Sequence, residues 1–337
     1  MSSQASPSRP PTMRDVAAAA GVSKALVSIV FRSAPGASEE TRARVFAAAE
    51  QLGYRANRTA SLLALRRNKH LGLTMSVRNA FHAELVEGLQ VAADEAGYEI
   101  VLSTVSASHD ERRAVETLLE FRCEALVLLG PGLSGAALEE LARARPLVVV
   151  GRRIRADGVD VVRTADDRGL EMVVDHLVGL GHRRIAHVDG GRGVIAADRR
   201  RGYRRAMRRN GLSEHIQIVG GGPSEADGWR AAGELLGTRQ PTAVAAFNDH
   251  CALGVVDRLT RAGVRVPAAL AVAGFDNSLV AQLAAVDLTS VSQEAALQAR
   301  WAVRAAVETL EGNRVGGHQA VLEPRLVVRG STTPPRD

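Results

Sequence analysis

The apolar positions follow two regimes. Over residues 12–54 they recur three and four apart, the spacing of helices that bury one face. From residue 71 they come as short continuous runs separated by helical stretches. The stretch VAAAAGVSKALVSIVFR (16–32) reads as two short helices broken at Ala20-Gly21-Val22. Thr12 and Asp15 are spaced as a capping box for a first helix running to about Ala19, with Met13, Val16 and Ala17 inward. Gly21 supplies the left-handed backbone that ends it. Ser23 caps a second helix from Lys24 to about Phe31, with Val27 and Val30 facing its partner. A third starts at Ser38, has Glu39 and Glu40 in its first turn, and runs to about Gln51. Its apolar stripe is Val45, Ala48, Ala49 and Leu52, and Gly53 stops it. A tight glycine turn between two such helices predicts a helix-turn-helix domain, whose short second helix fits a DNA major groove. An ordinary three-helix bundle is the plainer alternative.

The second regime predicts strands at 71–75, 100–103, 125–129, 147–150, 159–162, 185–188, 216–219, 243–246 and 270–273. Most are fully apolar, as parallel strands covered on both faces are. Helices fill the gaps at 81–96, 109–121, 137–144, 166–179, 197–209, 227–236, 250–262 and 294–311. Repeated βα units imply doubly wound α/β sheets, and this length suffices for two similar subdomains with a cleft between them.

Composition sharpens this division. Of the net charge of +6, residues 1–70 contribute +7, with eleven Lys/Arg against four Asp/Glu; the remainder carries −1. Basicity confined to one end points to a polyanion as partner. The 46% apolar content builds a real core, and with 3% aromatics that core is Ala, Val and Leu. Residues 1–11 have no apolar stretch of the kind a secretory signal needs and read as a disordered Ser/Pro tail. No apolar run approaches the ~20 residues of a membrane helix. Cys123 and Cys251 sit in apolar stretches without metal spacing and read as reduced core residues, which suits the cytoplasm.

The run MRDVAAAAGVSKALVSIVFR, followed by SEETRARVFAAAEQLGYRAN, resembles the headpiece of the lac repressor family (LacI/GalR type). The resemblance implies a helix-turn-helix domain over 12–56 whose DNA-facing residues are Thr12, Ser23, Lys24, Ala25, Leu26, Ser28, Ile29 and Arg32. Lys24 and Ala25 hold the positions that vary most with operator sequence, and Ser23 and Ser28 match positions that touch phosphate or base. Leu26, Ile29 and Arg32 stand where the family usually has Thr, Arg and Asn. An Arg reading guanine bidentately is worth ~1–3 kcal/mol of discrimination, so the family's usual half-site is not implied. Leu26 and Ile29 can instead pack on thymine methyls, and Arg32 can take a phosphate.

The next segment, 57–70, corresponds to the family's hinge helix and linker. Asn57 can cap it, Ala60 is the small residue that lets paired hinges approach, and Leu63 holds the position of the leucine wedged into the minor groove. A helix this short is unstable alone, so it implies folding on DNA with a second protomer, hence a homodimer. The chain has no heptad tail after Pro334 for a coiled-coil tetramer.

The similarity continues through AFHAELVEGLQVAADEAGYEI, DRRRGYRRAM, PTAVAAFNDH and GFDNS to about Thr333, leaving a four-residue tail at 334–337. It implies a periplasmic-binding-protein-like core at 71–333, with a sugar-like effector between the subdomains. The residues it implies for that site are Phe81, Arg152, Arg199, Asn248 and Asp276. Arg199 and Asp276 would hold hydroxyls; a bidentate Arg with an Asp supplies convergent donors and acceptors. Arg152 leaves two readings open: a guanidinium for an anionic ligand such as a sugar phosphate, or a structural salt bridge.

The whole predicts a small all-α helix-turn-helix headpiece plus an α/β periplasmic-binding-protein-like core of two doubly wound subdomains. Its function would be a sequence-specific, effector-responsive repressor of transcription. Alternatives are an activator or a co-repressor-dependent regulator of the same kind, and a non-regulatory sugar-binding protein. The chain carries no Walker sequence, H-E-x-x-H or G-x-S-x-G elbow, so neither catalysis, a cofactor nor a metal is expected. The loop Asp189-Gly190-Gly191-Arg192-Gly193 lacks dinucleotide-loop spacing and is set aside.

Overall fold

A computed structural model of the chain describes residues 11–31, 35–54, 68–237 and 241–335. The chain divides into two compact units, Met1–Asn68 and Lys69–Asp337.

In the first unit, helices α1 (Met13–Ala20), α2 (Lys24–Phe31) and α3 (Glu39–Gln51) close around Val16, Val27, Val30 and Val45, all fully buried. The Asp15 carboxylate accepts from both the Thr12 N–H (2.7 Å) and the Thr12 hydroxyl (2.6 Å), which fixes the start of α1. Gly21 sits at φ 64°, a conformation costly for any residue with a Cβ, and this lets α2 begin with only three residues between it and the end of α1. Ser23 Oγ accepts the Leu26 N–H at 3.2 Å and caps α2. Leu52 does not continue the stripe of α3: it lies beyond the last turn and is exposed. The reversal at Gly53 brings Tyr54 back instead, and Phe31 packs edge-on against Tyr54 and Phe46, each at 5.6 Å.

The second unit holds two six-stranded sheets. The first contains β1 (His70–Ser76), β2 (Glu99–Val105), β3 (Ala125–Leu129), β4 (Leu147–Val150), β5 (Val159–Thr164) and β11 (Gln319–Leu322), in the order β11-β5-β4-β3-β1-β2. The second contains β6 (Ile185–Val188), β7 (Gln217–Val219), β8 (Ala243–Ala246), β9 (Ala271–Asp276), β10 (Thr289–Ser292) and β12 (Arg325–Val327), in the order β12-β10-β9-β8-β6-β7. All pairings are parallel except that of β12 with β10. The helices are α4 (Phe81–Glu95), α5 (Glu111–Glu120), α6 (Gly135–Ala144), α7 (Asp166–Gly179), α8 (Val194–Arg209), α9 (Glu225–Leu236), α10 (Asp249–Arg261) and α11 (Ala295–Leu310). No helix among the described residues is long and apolar enough to cross a membrane.

Strand β10, Thr-Ser-Val-Ser, has no apolar run, yet it is buried throughout. Its hydroxyls make the burial tolerable: Thr289 Oγ1 donates to the Arg329 carbonyl (3.0 Å), Ser290 to Asp249 (2.5 Å) and Ser292 to Glu294 (2.8 Å). Hydropathy alone does not find such a strand, nor the short β11 and β12.

The chain passes between the sheets three times, after β5, after β10 and between β11 and β12. These crossings are tied to one another. Thr164 Oγ1 donates to the Gln293 carbonyl (2.9 Å), Gln298 Nε2 donates to the same carbonyl (2.8 Å), and the Ala165 N–H reaches the Leu322 carbonyl (3.0 Å). A bonded three-strand connection of this kind confines relative motion of the sheets to a hinge.

Candidate functional site

The first unit presents one face of α2. Val27 and Val30 are buried; Ser23, Lys24 and Ala25 are exposed, and Leu26, Ser28 and Ile29 are half-buried beside them. This face carries one ammonium, two hydroxyls and three apolar tips. Such a set suits phosphate or guanine contacts for Lys24 and thymine methyls for Ala25, Leu26 and Ile29. Thr12 is engaged inside the unit by Asp15. Arg32, Asn57, Ala60 and Leu63 lie outside the described residues.

In the second unit, two connected hollows open between the sheets. The outer is a cavity of about 610 Å³, lined by the loops after β1, β3 and β4 and by residues 190–196. The inner, about 50 Å³, reaches Phe81, Arg199, Asn248, Asp276 and Gln293. Asn79, His82, Gly130, Ile195, Pro223 and Phe247 line both. The sequence-predicted residues thus meet at one cleft: Arg152 in the outer part, and Phe81, Arg199, Asn248 and Asp276 in the inner.

Arg199 is almost wholly engaged by the protein itself. Its Nε donates to Asp166 (2.9 Å) and one terminal nitrogen to the Phe247 carbonyl (2.5 Å); the other lies 3.6 Å from Asp276. The guanidinium also lies over the rings of Phe275 (3.6 Å) and Phe247 (4.6 Å). Its place depends on Gly202, where a Cβ would come 2.0 Å from the Asp167 carbonyl oxygen; the missing side chain lets α8 press onto α7. Asn248 caps α10, accepting the Cys251 N–H (2.8 Å) and donating to the Pro223 carbonyl (3.1 Å). Asp276 ends β9 at φ 111° and accepts from Gln293 Nε2 at 2.6 Å. Burial pushes the Asp276 carboxyl above the usual carboxylate range, with Arg199 pulling against it. Phe81 is part of the core around β1 and β3 and shows an edge to the inner hollow.

Arg152 makes no salt bridge among the described residues. One of its terminal nitrogens donates to the Pro131 carbonyl, and its buried Nε has no partner. Glu111, the carboxylate whose charge it feels, is occupied by the Gly132 N–H at 2.8 Å.

Sequence reasoning missed His82. Its Nδ1 accepts the Ser76 backbone N–H at 3.0 Å, so a neutral ring carries its proton on Nε2, on the side of Gly130 and the cavity. Burial lowers its pKa to about 4, which keeps it a fixed neutral donor. A histidine beside Phe81 in the first turn of α4 was the available signal. The loop at 190–193, set aside as a cofactor motif, also lines the cavity.

Residues 12–57 match the family described as bacterial regulatory proteins, lacI family, and residues 174–332 match a periplasmic binding protein-like domain. The chain is 33% identical over 330 residues to the HTH-type transcriptional regulator GalR of Escherichia coli K12, covering 96% of each chain. Among solved structures it is similar to the lac repressor dimer bound to operator and the anti-inducer ONPF (28% identity, TM-score 0.83, 96% of this chain and 100% of that one). It is also similar to a complex of the transcriptional regulator CelR with cellobiose (30% identity, TM-score 0.70, 96% and 100%).

Proposed function

The chain belongs to the lacI family of bacterial regulatory proteins, a family of DNA-binding transcriptional regulators, and from that premise we propose how it works. Two copies bind a palindromic operator, as the lac repressor dimer binds its own, each setting the exposed face of α2 in a major groove. Ser23, Lys24, Ala25, Leu26, Ser28 and Ile29 form the reading surface. A small polyol-type effector binds between the two sheets of the second unit and shifts the operator affinity of the first. The observation that carries the reading is the cleft: a cavity of about 610 Å³ bounded by both sheets, with the bonded crossings joining those sheets. A ligand held by both walls favours one inter-sheet angle, and the resulting shift is limited by its differential affinity for the two states.

The test is selection of operator from a random duplex library by the full-length protein at about physiological salt, where non-specific binding is weak. The expected result is an enriched palindrome whose occupancy changes when small polyols are added. Absence of any enriched site, with and without them, overturns the reading.

A further inference from the structure

The outer cavity carries three arginines, Arg78, Arg152 and Arg192, and among the described residues no aspartate or glutamate lines it. The carboxylates around it are already taken. Asp189 is held by Arg200 at 2.6 Å and by the Gly191 N–H at 2.7 Å. Asp198 faces Arg153 at 3.2 Å and also pairs with Arg201. Glu111 receives the Gly132 N–H and acts on Arg152 through its charge alone, with no ion pair between them. No ion pair neutralises Arg78, Arg152 or Arg192 among the described residues, and the Arg152 Nε is a buried donor without acceptor. The first turn of α8 adds to this. Val194, Ile195 and Ala196 line the same cavity, and their N-cap, Gly193, brings no side chain to their N–H groups. His82 Nε2–H is a further donor.

The inner hollow offers the opposite. Its one guanidinium and one carboxylate face each other. The two hollows are continuous through six shared lining residues, and most of the room for a ligand, about 610 Å³ against about 50 Å³, lies in the outer part, whose volume falls within the usual range for small-molecule sites. Its polar lining is dominated by donors and fixed positive charge.

We propose that the effector is a polyol bearing an anionic group, a phosphate or a carboxylate, and that this group is bound in the outer cavity by Arg152, with Arg78, Arg192 and the first turn of α8 around it. The proposal rests on the effector-site reading above and names the ligand class. Arg152 is the anchor because it lines the cavity, makes no ion pair among the described residues and has a second terminal nitrogen beyond the one bonded to the Pro131 carbonyl. Arg78 and Arg192 are exposed and contribute mainly by long-range attraction.

The experiment is calorimetric titration of the full-length protein at constant ionic strength with matched ligands. These are glucose and ribose, their 6- and 5-phosphates, gluconate, glucuronate and inorganic phosphate. Wild type is compared with Arg152→Gln, Arg152→Lys and Arg192→Gln, and the same ligands are added to operator-binding reactions. At least one anionic member binds saturably, ten times tighter or more than its neutral parent. Which set responds separates phosphate from carboxylate. Arg152→Gln weakens it at least tenfold, Arg152→Lys restores part of the loss, and Arg192→Gln weakens it less. The proposal is overturned if no anionic member binds, if a neutral parent binds as tightly as its anionic form, or if Arg152→Gln binds the anion like wild type. A neutral sugar that binds and changes operator affinity overturns the anion proposal and leaves the effector-site reading standing. If no member of either set changes operator affinity, both fall.

Discussion

Arg199 and Arg152 both line the cleft, and their surroundings engage them to very different degrees. Arg199 is 3% exposed, bonded to Asp166 and the Phe247 carbonyl, close to Asp276 and laid over two aromatic rings. Arg152 has a single carbonyl bond and an unpaired buried Nε. Charge alone did not decide which of them would be engaged by carboxylates and which would not. The position of the carboxylates did. Asp166 begins α7 and Asp276 ends β9, so α8 delivers Arg199 between two acids. The loop after β4 delivers Arg152 to a cavity wall that has none. A sequence pattern can assign both arginines to the cleft, but it does not distinguish a side chain that holds the walls from one that faces the space between them.

The largest effect that would break this contrast comes from Arg199→Met. Removing one partner leaves Asp166 and Asp276 buried beside each other without their cation. Breaking a buried pair from one side costs about 3–5 kcal/mol. Urea denaturation should show a loss of that order, with ligand binding lost as a consequence. Arg152→Gln should lie within about 1 kcal/mol of wild type in the same assay, since it forfeits one carbonyl hydrogen bond and removes a buried donor that has no acceptor. If Arg199→Met unfolds at the wild-type midpoint, Arg199 is not the structural member of the pair.

A second test uses pH. His82 at the cleft and His187 in the core both have pKa values lowered to about 4 by burial. Above the unfolded value of about 6.5 both states are neutral and neither histidine affects stability. As pH falls below 6.5 the unfolded chain takes up protons that the native chain refuses, so native stability declines until the pH nears 4. Each group contributes at most about 3 kcal/mol over that window. The His187 Nδ1–H donates to the Ala245 carbonyl at 2.8 Å, while its buried Nε2 has no partner to receive a second proton. Carboxyls raised by burial, Asp276 and Glu84 among them, gain stability over the same range, so the histidine share is read as a difference: between pH 7 and 4.5 the wild-type midpoint should fall relative to that of His187→Gln. Parallel profiles for the two proteins would mean that His187 takes up its proton in the fold.

These two tests also mark how far the sequence was legible. Helical and strand periods located α1–α3 and nine of the twelve strands of the second unit, because apolar burial drives those elements and leaves a periodic trace. The trace was absent where hydroxyls do the burying, as in β10, whose Thr289 and Ser290 are fully buried yet hydrogen-bonded. The cleft residues could be placed from the resemblance. Their bonding could not, because it depends on which side chains three separate crossings bring together. Asn248, expected in the cleft, lines the inner hollow and also caps the first turn of α10. His82, not expected at all, is the neutral donor at the junction of the two hollows.

The face of α2 proposed to read DNA carries a single cation among the described residues. Lys24 is exposed at the start of α2, next to the capped N-terminus. If it contacts phosphate, Lys24→Ala should reduce the slope of log affinity against log salt by about one and weaken all duplexes alike. If it reads a base, it should relax specificity at one position at a cost of about 1–3 kcal/mol. Binding measured at four or more salt concentrations on selected and scrambled duplexes separates the two. An unchanged slope and unchanged site preference would remove Lys24 from the interface.

The smallest expected effect lies on the outer face of α7 and α8. Asp167, Glu171 and Asp175 repeat every four residues along α7, and Arg205 and Arg209 repeat at the same interval along α8. Arg205 pairs with Glu171 and with Asp167 at 3.3 Å; Arg209 pairs with Asp175 at 2.7 Å. Glu171 is buried, but Arg168, Arg205 and Arg209 all reach it. Losing one of three partly exposed partners leaves that carboxylate neutralised by the other two, and exposed pairs are worth about 0–1 kcal/mol. Arg205→Gln should therefore shift the denaturation midpoint barely, and by less in high salt, where exposed charges are screened. Measured beside Arg199→Met on the same helix, it separates burial from charge as the source of the Arg199 effect. A loss in Arg205→Gln as large as that in Arg199→Met would mean that this outer ladder, rather than the cleft, ties α8 to α7.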